Sequence, residues 1–316
     1  MKIIFLGTPE FAVKILEKLV QSKHKVVAVV SQPDKPVGRK QILEPTPTKK
    51  FAIKNNIPVF QFTKIKKEGV EPLKKLNADV MVTVAYGQIL SKEILDLTKH
   101  GTINVHGSLL PKYRGSSPFQ WVLINGEKET GITIMKSDVG IDNGPVYKMK
   151  SFNIDEDDTL DTLYQKASEI APDLLLECLD DLENDTAIFS NQDESQSSYY
   201  PMLKNELSYI DFNNSKIDIV NLIKGISIWP TATCLLNNQR LNIYSAKVKN
   251  LDINYCDYKN GEVVECSGKK GITIKVEDGF IALEEVQLQG GKKMDAKSFA
   301  NGNKLKVGDI LVKFYE

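Results

Sequence analysis

The chain has 316 residues, 41% of them hydrophobic and 26% charged, with 20 glycines and 13 prolines. Such values exclude a disulfide-stapled miniprotein, a fibrous repeat and wholesale disorder, and leave room for two packed domains. Forty-one basic and 41 acidic side chains cancel, so any nucleic-acid contact must come from local patches rather than from the whole-molecule field.

The first half alternates strand and helix patterns. Residues 3–7 form a buried-strand run, and 9–20 carry Phe11, Val13, Ile15, Leu16, Leu19 and Val20 near helical spacing. A second strand is expected over 26–31, then a polar, proline-rich stretch over 32–47. A helix near 48–55, a short strand at Val59, a lysine-rich helix near 70–76 and a strand over 80–85 follow. Beyond these come a strand at 102–106, a helix through 120–124, strands at 132–135 and 146–149, and a long helix over 159–182. Strand–helix alternation with continuous Val/Ile runs predicts an α/β domain built on a parallel sheet covered on both faces. Near 184–200 the pattern collapses into polar residues suited to a linker. A helix near 216–226 and short alternating runs from 234 to 312 then predict a small β-barrel or sandwich. The expected domains are 1–184, a linker 185–206, and 207–316.

Cys178, Cys234, Cys256 and Cys266 show neither CxxC nor zinc-ligand spacing, which reads as reduced thiols of a cytoplasmic protein. No run approaches the roughly 18 apolar residues of a membrane span, so no membrane partner is expected. The turn Gly7-Thr8-Pro9-Glu10-Phe11 holds one glycine where a dinucleotide fingerprint needs three, and Glu10 would repel a pyrophosphate. A structural tight turn is the better reading.

The densest chemistry lies between Asn104 and Gly115. Asn104 and His106 are two apart, so on a strand they face the same way, at the carboxyl end where open α/β sheets present ligands. Asp142 follows in the glycine-flanked run Asp138-Val139-Gly140-Ile141-Asp142-Asn143-Gly144-Pro145. Taken singly, these are polar residues ending a strand and a turn aspartate. Taken together, an amide donor, an imidazole and a carboxylate suit acyl transfer without a covalent nucleophile: the amide for an oxyanion, the imidazole for protons, the carboxylate to hold or charge it.

These residues carry a resemblance. Asn-x-His, Ser-Leu-Leu-Pro-x-Tyr-Arg-Gly-x-x-Pro and Asp-x-Gly-x-Asp-x-Gly-Pro all occur here, ending in residues 108–118 and 138–145, and resemble the pattern of the folate-dependent formyltransferases. The resemblance implies a Rossmann-like N-terminal catalytic domain, 10-formyltetrahydrofolate as co-substrate, no metal, and Asn104, His106 and Asp142 as the catalytic trio. It further implies that Ser108, Leu109, Leu110 and Pro111 line the folate site. The stretch Tyr86-Gly87-Gln88-Ile89-Leu90 resembles the family's pterin-contacting segment, although by itself it reads equally as a strand end turning into a helix.

Family members differ in the amine they formylate: a glycinamide ribonucleotide, an amino sugar or an aminoacyl-tRNA. The stretch from Gln32 to Gln41, with Gln-Pro-Asp-Lys-Pro-Val-Gly-Arg at its centre, resembles the long loop of the members acting on tRNA. Over 31–54 six basic residues face only Asp34 and Glu44, which suits phosphate contacts from Lys35, Arg39 and Lys40; alone, it reads as a solvated surface loop. Lys40-Gln41-Ile42 stands where the family has glycine and paired lysines.

The C-terminal part resembles the OB-like domain of the same members, with Arg-Ala-x-x-Pro-Trp-Pro-Gly appearing here as Lys224-Gly225-Ile226-Ser227-Ile228-Trp229-Pro230-Thr231. Lys247, Lys249, Lys269, Lys270, Lys292 and Lys293 are its candidate backbone contacts. The expected partner is an aminoacylated initiator tRNA, and the absence of heptads suggests a monomer. An amino-sugar formyltransferase would not need the basic loop. A noncatalytic folate- or RNA-binding protein would not need His106 and Asp142.

Overall fold

The computed structural model describes residues 1–37, 42–302 and 304–314. Two compact units divide the chain. One holds Met1–Gly115, Glu129–Asn153 and Tyr164–Tyr199; the other holds Ser116–Lys128, Ile154–Leu163 and Tyr200–Glu316.

The first part of the chain runs β1 (Lys2–Gly7), α1 (Glu10–Gln21), β2 (Lys25–Ser31), β3 (Lys35–Val37), β4 (Ile42–Glu44), α2 (Pro47–Lys54) and β5 (Val59–Gln61). It continues with α3 (Ile65–Glu68), α4 (Val70–Lys74), β6 (Val80–Val84), α5 (Lys92–Leu95), β7 (Thr102–His106) and β8 (Arg114–Gly115). Then come α6 (Pro118–Ile124), β9 (Glu129–Lys136), β10 (Val146–Asn153), α7 (Leu160–Glu183) and β11 (Tyr199–Tyr200).

The sheet of the first unit has the order β10-β9-β7-β6-β1-β2-β5. β1 sits at its middle, parallel to β2 on one side and β6 on the other. Ile3, Ile4, Phe5 and Leu6 are all fully buried, as a parallel strand covered on both faces requires. Gly7 ends it because a Cβ there would stand 2.7 Å from the Phe5 ring and 2.9 Å from the Ala12 Cβ. Helix α1 covers one face through Phe11, Ala12, Ile15, Leu16 and Leu19, the stripe its apolar spacing predicts.

The sheet is mixed rather than wholly parallel, since β9 runs antiparallel to β7 and β10 antiparallel to β9. The loop 137–145 between β9 and β10 is shorter than the dozen or so residues of a parallel crossover. From β1 the chain moves outward through β2 and β5, then returns to place β6 and β7 on the other side. The reversal puts a crevice at the carboxyl ends of β1 and β6, where doubly wound sheets bind ligands. Within the proline-rich stretch, β3 and β4 pair as a hairpin, Lys35 opposite Glu44 and Pro36 opposite Leu43.

The second unit carries α8 (Lys216–Gly225), β12 (Ala232–Leu236), β13 (Gln239–Lys249), β14 (Val263–Ser267), β15 (Gly271–Val276), β16 (Gly279–Leu288), β17 (Met294–Asp295) and α9 (Ala296–Asn301). Ser215 starts α8 by accepting from the Asp218 N–H. The antiparallel order is β12-β13-β16-β15-β14, with β17 on β16. Asn237 and Asn238, both at positive φ (+48° and +64°), form the two-residue turn joining β12 to β13; asparagine is among the few residues that tolerate it. The last strand expected from the sequence consists of isolated bridges: Leu235 pairs with Val312 and Glu262 with Ile310. These link the sheet's first strand with the segment entering its last, closing it toward a barrel around Ile223, Ile243, Ile274, Ile281, Val286 and Leu311. Among the described residues no helix is long and apolar enough to cross a membrane.

Two stability predictions follow from this unit. Thr231 stands at φ +71°, where the family pattern has glycine, and a β-branched side chain is strained there. Thr231→Gly is expected to raise unfolding stability by about 1 kcal/mol, read from urea midpoints at constant m.

Glu265 is the centre of an ion cluster, accepting from Lys249 Nζ at 2.5 Å, Lys270 Nζ at 2.8 Å and Thr273 Oγ1 at 3.0 Å. Burial alone would push its carboxyl up, but the three donors outweigh burial and hold it at about 2, against an ordinary 4.5. A depressed folded pKa gives stability that is fully present above the unfolded value and lost as pH falls through the folded one. Glu265→Gln should therefore cost about 2 kcal/mol at neutral pH. The difference from wild type should shrink between pH 4.5 and 2, as acid titrations followed by circular dichroism would reveal.

Candidate active site at the carboxyl edge of the sheet

Strand β7 places Asn104 opposite Met135 and His106 opposite Thr133 of β9, with both side chains on one face. His106 is buried at 5% exposure. Its Nε2 lies 2.9 Å from the Tyr113 carbonyl oxygen. A carbonyl can only accept, so Nε2 carries the hydrogen and Nδ1 is the free lone pair of the neutral ring. Nδ1 faces Asp142 Oδ2 at 3.6 Å. Asn104 Nδ2 reaches the other carboxylate oxygen, Asp142 Oδ1, at 3.3 Å. The three residues expected from the sequence thus meet around one carboxylate.

Asp142 is delivered by the 137–145 loop in a left-handed backbone conformation, φ +50°, which aspartate adopts more readily than most residues. The Gly115 N–H donates to Oδ2 at 2.9 Å. Gly144 anchors the loop's far end: a Cβ there would lie 2.0 Å from the Lys136 carbonyl oxygen, a backbone atom with no room to yield. The Gln192 side-chain amide donates to both the Asp142 and Gly144 carbonyls at 2.8 Å. Arg114, 8% exposed, donates in turn to Gln192 Oε1 and forks onto Glu194. Arg114 belongs to the Tyr-Arg-Gly part of the motif over residues 108–118; Gln192, in a polar low-pattern stretch, gave no signal.

The Ser108–Pro111 positions fall in the loop after β7. Ser108 is fully buried, its hydroxyl donating to the Lys112 carbonyl and its carbonyl accepting from Thr133 Oγ1. Leu110 is buried, whereas Leu109 and Pro111 are half-buried. The Ser108 hydroxyl thereby braces its own loop. Tyr86 is also buried, and burial, with the charge of Glu68, pushes its phenol up to about 12. Its carbonyl accepts from Thr8 and Gln32. Gln88 bridges the Ile65 N–H and the Phe62 carbonyl, Ile89 is 78% exposed, and Leu90 packs against the core. Gly87 has φ +89°. Among the described residues the backbone N–H and C=O groups of 87–90 make no backbone–backbone hydrogen bond.

Lys35 is exposed on β3; Arg39 and Lys40 lie outside the described residues. Lys49 is engaged with Asp34 at 2.6 Å and Lys50 with Glu44 at 3.4 Å. Beside the hairpin is a cleft of about 310 Å³ lined by Thr8, Gln32, Lys35, Glu44, Thr46 and Lys50 among others. On the second unit Lys247 pairs with Glu284, Lys293 with Glu285, and Lys249 and Lys270 with Glu265.

Fold and site together are those of a formyl transferase. Residues 1–179 match the formyl transferase family model, and 202–304 match that of the formyl transferase C-terminal domain. A methionyl-tRNA formyltransferase from Caldicellulosiruptor saccharolyticus is 44% identical over 314 residues, 98% of this chain and 100% of that one. The chain belongs to the methionyl-tRNA formyltransferase family. The fold is also that of HypX from Aquifex aeolicus in complex with tetrahydrofolic acid (TM-score 0.68, 16% identity). That match covers 100% of this chain and 51% of HypX, so this chain spans about half of HypX's length. An N-formyltransferase from Helicobacter canadensis, in complex with folinic acid and dTDP-3-aminofucose, shares it too, with TM-score 0.66 and 24% identity over 90% of this chain and 98% of that one.

The Tyr113 contact makes a spectroscopic prediction. Imidazole ¹⁵N spectra should show the neutral His106 ring carrying its hydrogen on Nε2 and its lone pair on Nδ1. A neutral ring protonated at Nδ1 would contradict the assignment.

Proposed function

We propose that this enzyme transfers the formyl group of 10-formyltetrahydrofolate to the amino group of methionyl-tRNA. The carrying observation is the convergence of Asn104, His106 and Asp142 on one carboxylate at the sheet's carboxyl edge. The naming of the 44%-identical relative supports methionyl-tRNA as acceptor. Folate ligands in the two structural neighbours, and the main chain at 87–90, which makes no backbone–backbone hydrogen bond among the described residues, support the donor.

Bound 10-formyltetrahydrofolate supplies the formyl carbon that the amine attacks. Asn104 presents an amide N–H to the oxygen on which negative charge develops. His106 accepts the amine's proton at Nδ1, since Nε2 is committed to the Tyr113 carbonyl, and returns it to the folate nitrogen as the bond from that nitrogen to the formyl carbon breaks. Asp142 stabilises the imidazolium by charge and keeps the ring facing the reaction. Tyr86, Gly87, Gln88, Ile89 and Leu90, with Ser108, Leu109, Leu110 and Pro111, hold the folate in this reading. Lys35, with Arg39 and Lys40, meets acceptor-stem phosphates, and the cleft beside the hairpin takes the acceptor's aminoacylated end. Residues 207–316 add further tRNA contact, 1–184 carry catalysis, and 185–206 join them. The chain works as a monomer in the cytoplasm, every catalytic group coming from one copy.

The test is formyl transfer to methionyl-tRNA beside uncharged tRNA and a panel of amino sugars. Product on the charged tRNA alone is expected; transfer to a sugar instead would overturn the acceptor. His106→Ala should lower kcat by about 10²–10⁴-fold with folate affinity little changed, and full turnover in that variant would sink the mechanism.

A further inference from the structure

We infer that Gln192 is a positioning residue for the transfer reaction, setting the catalytic carboxylate through the backbone of its loop. The inference rests on the formyl-transfer reading of the site. The orientation of the Gln192 amide is dictated by its neighbour. Arg114 presents only donors, with Nε at 3.0 Å and Nη2 at 2.8 Å from one amide atom, which must therefore be Oε1. The amide nitrogen then points the other way, and its two hydrogens are taken by the carbonyls of Asp142 and Gly144, each at 2.8 Å.

That grip spans the strained residue. Asp142, at φ +50°, must hold Oδ2 between the Gly115 N–H and His106 Nδ1 while Oδ1 meets Asn104. Fixing the carbonyls at 142 and 144 leaves the carboxylate little freedom to swing. Gln192 itself is tethered on both sides. Ser190 exchanges backbone hydrogen bonds with Val146, both at 2.8 Å. Six residues beyond Gln192, the Ser198 carbonyl accepts from the Arg114 N–H at 2.9 Å, and the Ser198 hydroxyl accepts from the Tyr113 N–H at 2.9 Å. Segment 190–198 thus ties together the loop carrying Asp142 and the loop whose Tyr113 carbonyl holds His106. Gln192 is the side chain within it that touches the first loop and, through Arg114, the second.

The discriminating variant is Gln192→Glu, compared with Gln192→Ala. Glutamate keeps the shape and the Arg114 partner but, ionised beside that guanidinium at about pH 8, turns acceptor oxygens on two carbonyls. If Gln192 positions Asp142, Gln192→Glu should lower kcat for methionyl-tRNA by about 10- to 100-fold, at least as much as Gln192→Ala. KM for the folate should stay within about twofold. If Gln192 merely fastens the segment, both variants will lower the melting temperature while the folded enzyme keeps wild-type kcat; that result overturns the inference. Failure of wild-type enzyme to formylate methionyl-tRNA would sink the acceptor reading instead. The imidazole ¹⁵N shifts of His106 report the same geometry without turnover: they should move in Gln192→Glu, and unchanged shifts would count against the positioning role.

Discussion

The Asp142 carboxylate is the point on which the site depends, and almost nothing about its placement is local to its own side chain. One oxygen meets Asn104; the other lies between the Gly115 amide and His106. Three separate chain segments therefore have to arrive in register. Strand β7 supplies two of the partners, and its position is secured by sheet pairing on both sides. The loop bearing Asp142 has no such pairing, and it takes a left-handed backbone at the residue that matters. Its rigidity comes from contacts that admit no alternative: a Gly144 position closed to any side chain by the Lys136 carbonyl, and an amide that grips two carbonyls at once. A strained residue persists where its surroundings over-determine it, and here they do.

The parts of this arrangement written in short-range pattern were legible in the sequence. β1 announces itself by four consecutive apolar residues, β7 by a two-residue spacing that puts Asn104 and His106 on one face, and the Asp142 loop by its glycines and proline. What was hidden has physical reasons. The antiparallel direction of β9 and β10 leaves no mark in composition, since an apolar run reads alike in either direction. Ser108 sits inside a family motif, and no spacing rule announces that its hydroxyl donates to the Lys112 carbonyl. Gln192 is 50 residues from Asp142, in a stretch whose polarity reads as solvated linker. A polar side chain satisfied by distant backbone carbonyls looks, in sequence, like one satisfied by water.

Charge bears on the acceptor in a similar way. Counting lysines along the second unit suggests several phosphate contacts, but Lys247, Lys249, Lys270 and Lys293 each have a carboxylate partner. These partnerships are not equivalent. Lys247 is about two-thirds exposed (67%), and exposed pairs contribute little enough to exchange a carboxylate for a phosphate. Lys249 and Lys270 share the Glu265 cluster, where leaving would strand a partly buried carboxylate among fewer donors. A lysine count therefore overstates the field this unit offers a polyanion, and exposed lysines, not cluster lysines, set the salt dependence of any contact made there.

The Tyr113 carbonyl finally decides how the imidazole can work. Because that carbonyl accepts from Nε2 in every protonation state, all proton traffic passes through Nδ1, the nitrogen facing Asp142. At 3.6 Å the pair is beyond a direct hydrogen bond, so the carboxylate faces the Nδ1 lone pair without engaging it. Tyr113 reaches this position at φ +59°, and its N–H is held by the Ser198 hydroxyl. The orientation of the base is thus set by backbone geometry on one side, and the charge that supports it by backbone geometry on the other. Asn104, lying on the same strand as His106, keeps an amide hydrogen beyond the one directed at Asp142. Asn104, His106 and Asp142 are thus fixed relative to one another, the condition under which electrostatic stabilisation by such groups needs no reorganisation during a reaction.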